Sequence, residues 1–231
     1  MKIQESQKII VEQYGDDVFH ILNGQSMYDQ VKEQGLLEFG RYAPFNEAMC
    51  EGNAQEGIFS QEFIACRCEA HHVTLEQYQQ NTLRPLEDFF NQQFDCIVLW
   101  FGEDMFCQIN LLTILAYLED SNFSGKIVVN LVKEDTLEII EQFGVDREGY
   151  KEIYNQVILS RKSPIRVHPP VLTNGIRLYL NYKEEENEIT FFIKSHVNLS
   201  EKELLQRLFA AFPSYGLGDT QYLQLIRKHA R

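Results

Sequence analysis

The run Cys96–Phe101 places six apolar residues in succession, bounded by Asp95 and Gly102. It is rich in β-branched and aromatic side chains, which favour a strand. A strand without polar alternation is buried on both faces, as the central strands of parallel sheets are. The run therefore predicts a sheet that is covered by helices on both sides.

Strand and helix patterns alternate on either side of this run. Val18–Leu22 predicts a short buried strand followed by a helix, and residues 39–45 predict a second strand. After the central run, a strongly apolar helix over residues 109–118 leads to a further strand at Lys126–Val132. Strand, helix and strand at this spacing form a parallel crossover. Residues 1–133 are therefore predicted to be an α/β domain with a mostly parallel sheet flanked by helices, a Rossmann-like three-layer arrangement.

Local helix signals lie between the second and third strands. Ser60 is a predicted N-cap, and Thr74 with Gln77 forms a predicted capping box. The helix that Thr74 opens runs towards Asn91, and Pro85 is expected to kink or divide it.

After Val132 the apolar spacing becomes helical. The spacing predicts helices over residues 136–143, 150–159, 172–182 and 188–197. A further helix is predicted to begin at the capping box of Ser200 and Glu203, and a last one at Asp219. Phe191–Ile193 fits a short strand nearly as well. Residues 134–231 are therefore predicted to be a second, mainly helical domain.

The formal net charge of −13 limits the classes of partner. Phosphate backbones and anionic lipids attract basic surfaces, so nucleic acid is an unlikely partner and a membrane is not expected. The C-terminal residues 227–231 are a candidate basic patch. Five cysteines without framework-like spacing, and a polar N-terminal segment without a signal-peptide core, favour a cytoplasmic protein with reduced thiols. The sequence leaves a homo-oligomer open.

Three blocks occur in order along nearly the whole chain: His20–Ser26, Leu99–Gln108 and Tyr215–Gln221. They resemble a bacterial family catalogued as domain of unknown function 1835. Arg41, Glu47 and Arg67 fall where that family tends to carry charged residues. Cys107 stands where many members have an Asp, which puts in doubt any activity that depends on that Asp. The family has no established reaction, so the resemblance implies a bacterial origin, a layout and positions to test.

The first candidate site is the turn Asn23-Gly24-Gln25-Ser26 at the end of the first strand. Backbone N–H groups and the helix dipole at such a turn favour a phosphate or a carboxylate. Ligands of open α/β sheets lie outside the carboxyl ends of the strands, where this turn is predicted. The alternative is a structural turn in which Ser26 caps the helix.

The second candidate site is the turn Gly102-Glu103-Asp104, with Gln108 one helical turn further on. Asp104 and Gln108 are four residues apart and are predicted to share a helix face. A carboxylate and an amide together suit general base catalysis or recognition of a sugar or base edge, so Glu103, Asp104 and Gln108 are the candidate catalytic residues. The acidic pair could also hold a divalent cation through its oxygens. The alternative is that these acids only stabilise a helix N-terminus.

Other reactive residues favour structural roles. His20 lies in an apolar strand and is predicted to be a hydrogen-bonded core residue. Cys66 and Cys68 would point to opposite sides of a helix, and the remaining pairing with His71 or His72 gives only two zinc ligands. No metal site is therefore predicted, the cofactor is left open, and Cys107 has no identifiable base to activate it as a nucleophile.

These observations lead to two hypotheses. The first is binding, with or without turnover, of a small anionic ligand that bears a phosphate or resembles a nucleotide, at the carboxyl edge of the sheet. Arg41, Glu47 and Arg67 supply charged contacts in this hypothesis, and Asp219 and Gln221 close the cleft. The second hypothesis is a regulatory or protein-interaction module that acts through the helical C-terminal half.

Overall fold

Within residues 2–133 and 135–229, which the computed structural model describes, five strands form one sheet in the order β2-β1-β3-β4-β5. The strands are β1 (Val18–Leu22), β2 (Arg41–Pro44), β3 (Cys96–Phe101), β4 (Lys126–Val132) and β5 (Ile139–Gly144). β1 to β4 are parallel, and β5 runs antiparallel to β4. The predicted α/β class and the central, fully buried position of β3 are confirmed.

β5 corrects the prediction of a helix over residues 136–143. Ile139, Ile140 and Phe143 have helix-like spacing, but Ile139 pairs with Val132 and Phe143 pairs with Val129 across a hairpin. Leu137 turns the chain with a φ of 56°. The hydrogen bonds and side-chain contacts with β4 stabilise the strand, and they outweigh the local helical spacing of the apolar residues. The predicted boundary between residues 133 and 134 therefore divides a hairpin, and the sheet region extends to Gly144.

One face of the sheet is covered by α1 (Ile3–Tyr14) and α2 (Gly24–Glu33). α1 is not among the predicted helices, although its buried residues Ile3 and Ile10 have helical spacing. Together with Met27 and Val31 of α2, they pack against β1, β3 and β4.

His20 on this face is a neutral core residue, as predicted. Burial lowers the pKa of its ring to about 3. Its Nε2 donates to the Phe39 carbonyl at 3.1 Å, and its Nδ1 accepts from the Trp100 indole N–H at 3.1 Å. Both ring nitrogens are therefore used, which is the state that a buried histidine requires.

The other face carries the larger core. It is covered by α3 (Gln61–His71), α5 (Glu87–Asn91), α6 (Met105–Asp120), α7 (Tyr150–Tyr154) and α8 (Pro170–Lys183). The short helix α4 (Leu75–Tyr78) follows α3. Ser60 and Thr74 cap their helices as predicted. Between α4 and α5 the chain passes through a π-helical turn at Gln79–Leu83 and a 3₁₀ turn at Arg84–Leu86, which agrees with the expected break at Pro85.

The C-terminal helices join the same core. They are α9 (Glu188–Ser195), α10 (Glu201–Ala211) and α11 (Asp219–His229), so Phe191–Ile193 is helical. Ile193, Leu208 and Tyr222 belong to one buried cluster with Ile21 and Leu99 of the sheet. Of the basic C-terminal patch, residues 230 and 231 lie outside the described residues. Within the described ranges, no helix has both the length and the apolar character needed to cross a membrane.

The contact between α6 and α8 is tested by Gly175→Ala. A Cβ at Gly175 would lie 2.4 Å from Cβ of Gln108 in α6, so the two helices must separate to accommodate it. Overpacking of this kind costs about 1–3 kcal/mol, whereas Ala in an exposed helix stabilises relative to Gly by roughly 0.5–1 kcal/mol. We expect a net decrease in the free energy of unfolding, measured by urea denaturation.

Thr173→Ala is the control, because Thr173 is exposed on the same helix. It should change the free energy of unfolding by less than about 0.5 kcal/mol. A Gly175→Ala protein as stable as the unmodified protein would contradict the close packing of α8 on α6.

Candidate functional site

The two predicted turns adjoin at the carboxyl edge of the sheet. β1 and β3 are neighbours, and Leu22 pairs with Trp100. The backbone N–H of Asn23 donates to the carbonyl of Trp100 at 3.0 Å, so the turn after β1 lies directly against the end of β3. The prediction that both turns meet at one edge is confirmed. Because the chain leaves β1 towards β2 and then crosses to β3 on the other side, this is the topological switch point where open α/β sheets bind ligands.

A buried polar cluster lies beneath the two turns. The Asn23 amide donates to Cys107 Sγ at 2.9 Å, and its Oδ1 accepts from Asn110 Nδ2 at 3.0 Å. Asn110 also donates to the Glu47 carbonyl at 2.8 Å and accepts from the Met49 N–H at 3.0 Å. This cluster joins the ends of β1 and β3 to the loop after β2. Asn110 is not among the predicted site residues. The only sequence signal for it is that it places an amide inside a strongly apolar helix.

The N-terminus of α2 is open as a consequence. Asn23 occupies the N-cap position, but no side chain among the described residues caps the helix, because the Asn23 amide turns inward. Gly24 has a φ of +85°, and no described atom beyond its own helix and chain neighbours would lie within 4 Å of a Cβ there. Gln25 and Ser26 are exposed, and Ser26 follows the helix start instead of capping it. The first backbone N–H groups of α2 therefore have no side-chain acceptor at the cap among the described residues.

The turn after β3 is arranged differently from its prediction. Asp104 caps α6 by accepting from the Cys107 N–H at 2.9 Å, and Glu103 is exposed. Gln108 is fully buried, its Nε2 donates to the Gly102 carbonyl, and its Oε1 has no partner among the described residues. The two side chains therefore do not share an accessible face, because Asp104 precedes the helix and Gln108 is covered by α8. The capping alternative describes Asp104 correctly.

Glu47 and Arg67 form a buried ion pair. Glu47 Oε2 lies 2.9 Å from Arg67 Nη2 and 2.9 Å from His71 Nε2, and Tyr78 donates its hydroxyl to Oε1. The remaining N–H groups of Arg67 donate to the carbonyls of the loop after β2, those of Ala48, Glu51 and Asn53. Every N–H of this guanidinium group is thus satisfied internally. This corrects the expectation that Arg67 and Glu47 contact a ligand, because both are occupied in fixing the loop.

The electrostatics of the pair follow from these contacts. Burial opposes ionisation of Glu47, but the hydrogen bond from His71 and the charge of Arg67 outweigh it and lower the pKa of the carboxyl to about 2. The carboxylate is therefore ionised at neutral pH and contributes to stability as the ion.

Arg41 lies at the opposite edge of the sheet. It is the first residue of β2 and pairs with Phe19 near the start of β1. Its guanidinium group lies 3.4 Å from Asp88 and 5.5 Å from the Phe94 ring centroid. This corrects the expectation that Arg41 supplies positive charge to a ligand at the carboxyl edge, because the first residue of a parallel strand lies at the amino edge of the sheet.

The C-terminal block folds back onto the turn after β3. Gly216 approaches Asp104 so closely that a Cβ there would lie 2.0 Å from Oδ1. Gln221 accepts from the Gly218 N–H at 3.0 Å, and Asp219 accepts from the Thr220 N–H at 2.7 Å. Asp219 and Gln221 therefore bond within their own turn, and it is Gly216 that covers the site.

A groove of about 1760 Å³ lies elsewhere. It is lined at the start of β4 by Lys126 and Ile127 and at the end of β5 by Phe143 and Gly144, so it opens at the edge opposite the switch point.

Among the described residues, no three His, Cys, Asp or Glu side chains form a group that could hold a metal ion. No disulfide joins the five cysteines, all of which are described.

Comparison with protein-family models, with curated proteins and with solved structures finds no match to the chain. The function of the switch-point site is therefore inferred from its own geometry. The geometry offers backbone donors at α2, an exposed carboxylate at Glu103 and a rigid polar cluster beneath them.

The Glu47 ion pair makes stability depend on pH. The pKa of Glu47 is lowered on folding from 4.5 to about 2, so its contribution is complete above about pH 4.5 and is lost as the pH falls towards 2. Glu47→Gln should lower the free energy of unfolding at pH 7 by about 3–5 kcal/mol, because it leaves Arg67 buried without a counter-ion. The variant should also lose less stability than the unmodified protein between pH 4.5 and pH 2.

Urea denaturation at a series of pH values measures both effects. Glu76→Gln is the control, because Glu76 is exposed on α4. If Glu47→Gln does not fold, Glu47→Gln combined with Arg67→Met removes the unpaired charge and allows the same comparison. Identical pH profiles for the unmodified and variant proteins would contradict the ion-pair assignment.

Proposed function

We propose that the protein binds a small anionic, phosphate-bearing ligand at the carboxyl edge of the sheet, between the turns Asn23–Ser26 and Gly102–Asp104. The observation that carries this proposal is the N-terminus of α2, which lies at the switch point without a side-chain cap. Four N–H groups at a helix start have no partner within the helix, and an anion satisfies them while interacting with the positive end of the helix dipole.

The inward turn of Asn23 supports a binding role. Asn is among the best N-cap residues, so a cap by its side chain would be the stabilising local choice. Here the amide bonds Cys107 and Asn110 instead. Gly24 adds to this arrangement, since the absence of a side chain lets an oxyanion approach the backbone.

The opposite side of the site favours a ligand with hydroxyl or amino groups. Glu103 is exposed at the end of β3 and presents acceptor oxygens. A free phosphate offers few donors to such a carboxylate, whereas a phosphorylated sugar or a nucleotide offers several. The Rossmann-like layering is part of the same proposal, and it is supported by α1 and α2 on one face and α6 with its neighbours on the other.

Ser26→Glu separates ligand binding from stability. Ser26 is in the first turn of α2, so a carboxylate there interacts favourably with the helix dipole and repels an anion. The ligand-free variant should have a melting temperature equal to or above that of the unmodified protein. A ligand at one hundred times its dissociation constant stabilises the unmodified protein by about 2.7 kcal/mol, and this gain should be lost in the variant.

The measurement is a thermal-shift screen with inorganic phosphate, sugar phosphates and nucleotides. Gln61→Glu is the matched control, because it adds one negative charge to the first turn of α3, a helix that Ser60 already caps. It should keep the full ligand-induced shift. The proposal fails if no phosphate-bearing compound raises the melting temperature, or if Ser26→Glu and Gln61→Glu respond equally.

A further inference from the structure

Two cations lie together against the aromatic end of α8. The guanidinium carbon of Arg161 is 5.0 Å from the centroid of the Tyr179 ring. The ammonium nitrogen of Lys183 is 5.6 Å from the same centroid and 5.4 Å from that of Tyr182. The two positive charges therefore share Tyr179 as a neighbour.

Neither cation has an acidic partner at ion-pair distance among the described residues. Arg161 donates to the Tyr179 hydroxyl and, at 3.4 Å, to the Gly52 carbonyl. For Lys183, no described residue accepts a hydrogen bond from the ammonium group. In the same acidic protein, cations such as Lys151 and Lys194 are paired with a carboxylate. The carboxylate of Glu51 acts on Lys183, but it forms no ion pair with either cation.

The local electrostatics agree with this arrangement. Burial lowers the pKa of Lys183, and the neighbouring charges of Arg161 and Arg67 lower it further, against the opposing effect of Glu51. Burial also lowers the pKa of Arg161. An anion placed at these groups would relieve the cost of two charges held near each other and partly out of water.

We propose that Arg161 and Lys183 form a second anion site, which binds the phosphate group of a phosphate-bearing ligand. Arg offers a planar pair of donors and Lys a compact charge, a combination suited to an oxyanion that carries close to two negative charges at neutral pH. The site shares no residue with the switch-point proposal, so each can fail without the other.

The loop after β2 forms one wall of the site. Arg67 holds the carbonyl of Glu51 at 2.7 Å, and Gly52 accepts from Arg161. The Glu51 carboxylate accepts from the Tyr182 hydroxyl at 2.6 Å, which engages one of its oxygens. The Glu51 carboxylate favours a phosphate monoester over a bulkier polyanion, because it would repel the additional negative charges of the polyanion.

Site-specific acetylation tests the proposal. The intact protein is treated with acetic anhydride, and the modification of each lysine is followed by mass spectrometry while inorganic phosphate replaces chloride at constant ionic strength. Phosphate at about ten times its dissociation constant should slow modification of Lys183 about tenfold. Lys202 is exposed on α10 and serves as the internal control, whose rate should not change.

Two variants assign the effect. Arg161→Gln should weaken the protection of Lys183 severalfold, whereas Ser26→Glu should leave it intact. Equal rates of Lys183 modification in phosphate and chloride overturn the proposal, as does full protection in Arg161→Gln. Loss of protection in Ser26→Glu also overturns it, because the anion would then belong to the switch-point site.

Discussion

The carboxyl edge of the sheet depends on the buried guanidinium group of Arg67. Its five N–H groups bind the carboxylate of Glu47 and the carbonyls of Ala48, Glu51 and Asn53. A loop that carries so many polar backbone groups can be buried only if they are paired. Arg67 supplies that pairing, and the loop after β2 is thereby fixed against α3. The carbonyl of Glu47 then accepts from Asn110, which in turn holds Asn23.

The geometry of the two proposed sites follows from this chain of contacts. Because Asn23 is held inward, the start of α2 has no side-chain cap among the described residues, and a Cβ at Gly24 would have no described atom within 4 Å beyond its own helix and chain neighbours. Because the loop is fixed, Gly52 lies where Arg161 reaches it. The net charge of −13 opposes binding of any anion at long range. Binding must therefore come from short-range contacts, and the uncapped start of α2 and the Lys183 ammonium group offer donors for them.

Features set by neighbouring residues could be predicted from the sequence. The strands β1 to β4, the caps at Ser60 and Ser200 and the turn at Asn23 depend on local composition, and the structure confirms them. Features set by contacts between distant residues could not. β5 is a strand because it pairs with β4, and Arg67 is internal because Glu47 lies beside it. For the same reason, no sequence pattern brings Arg161 and Lys183 together, since only the fold of α8 and the preceding segment does.

A two-dimensional ¹H–¹⁵N NMR titration with a phosphorylated sugar measures anion binding at the start of α2 at the level of single amides. Backbone amides that donate to an oxyanion shift strongly downfield, so each donor is identified by its own signal. We expect saturable shifts of the Gly24, Gln25 and Ser26 amide signals, all with the same dissociation constant. If these three signals do not move at saturating ligand, the anion does not bind at the start of α2, even if other signals change.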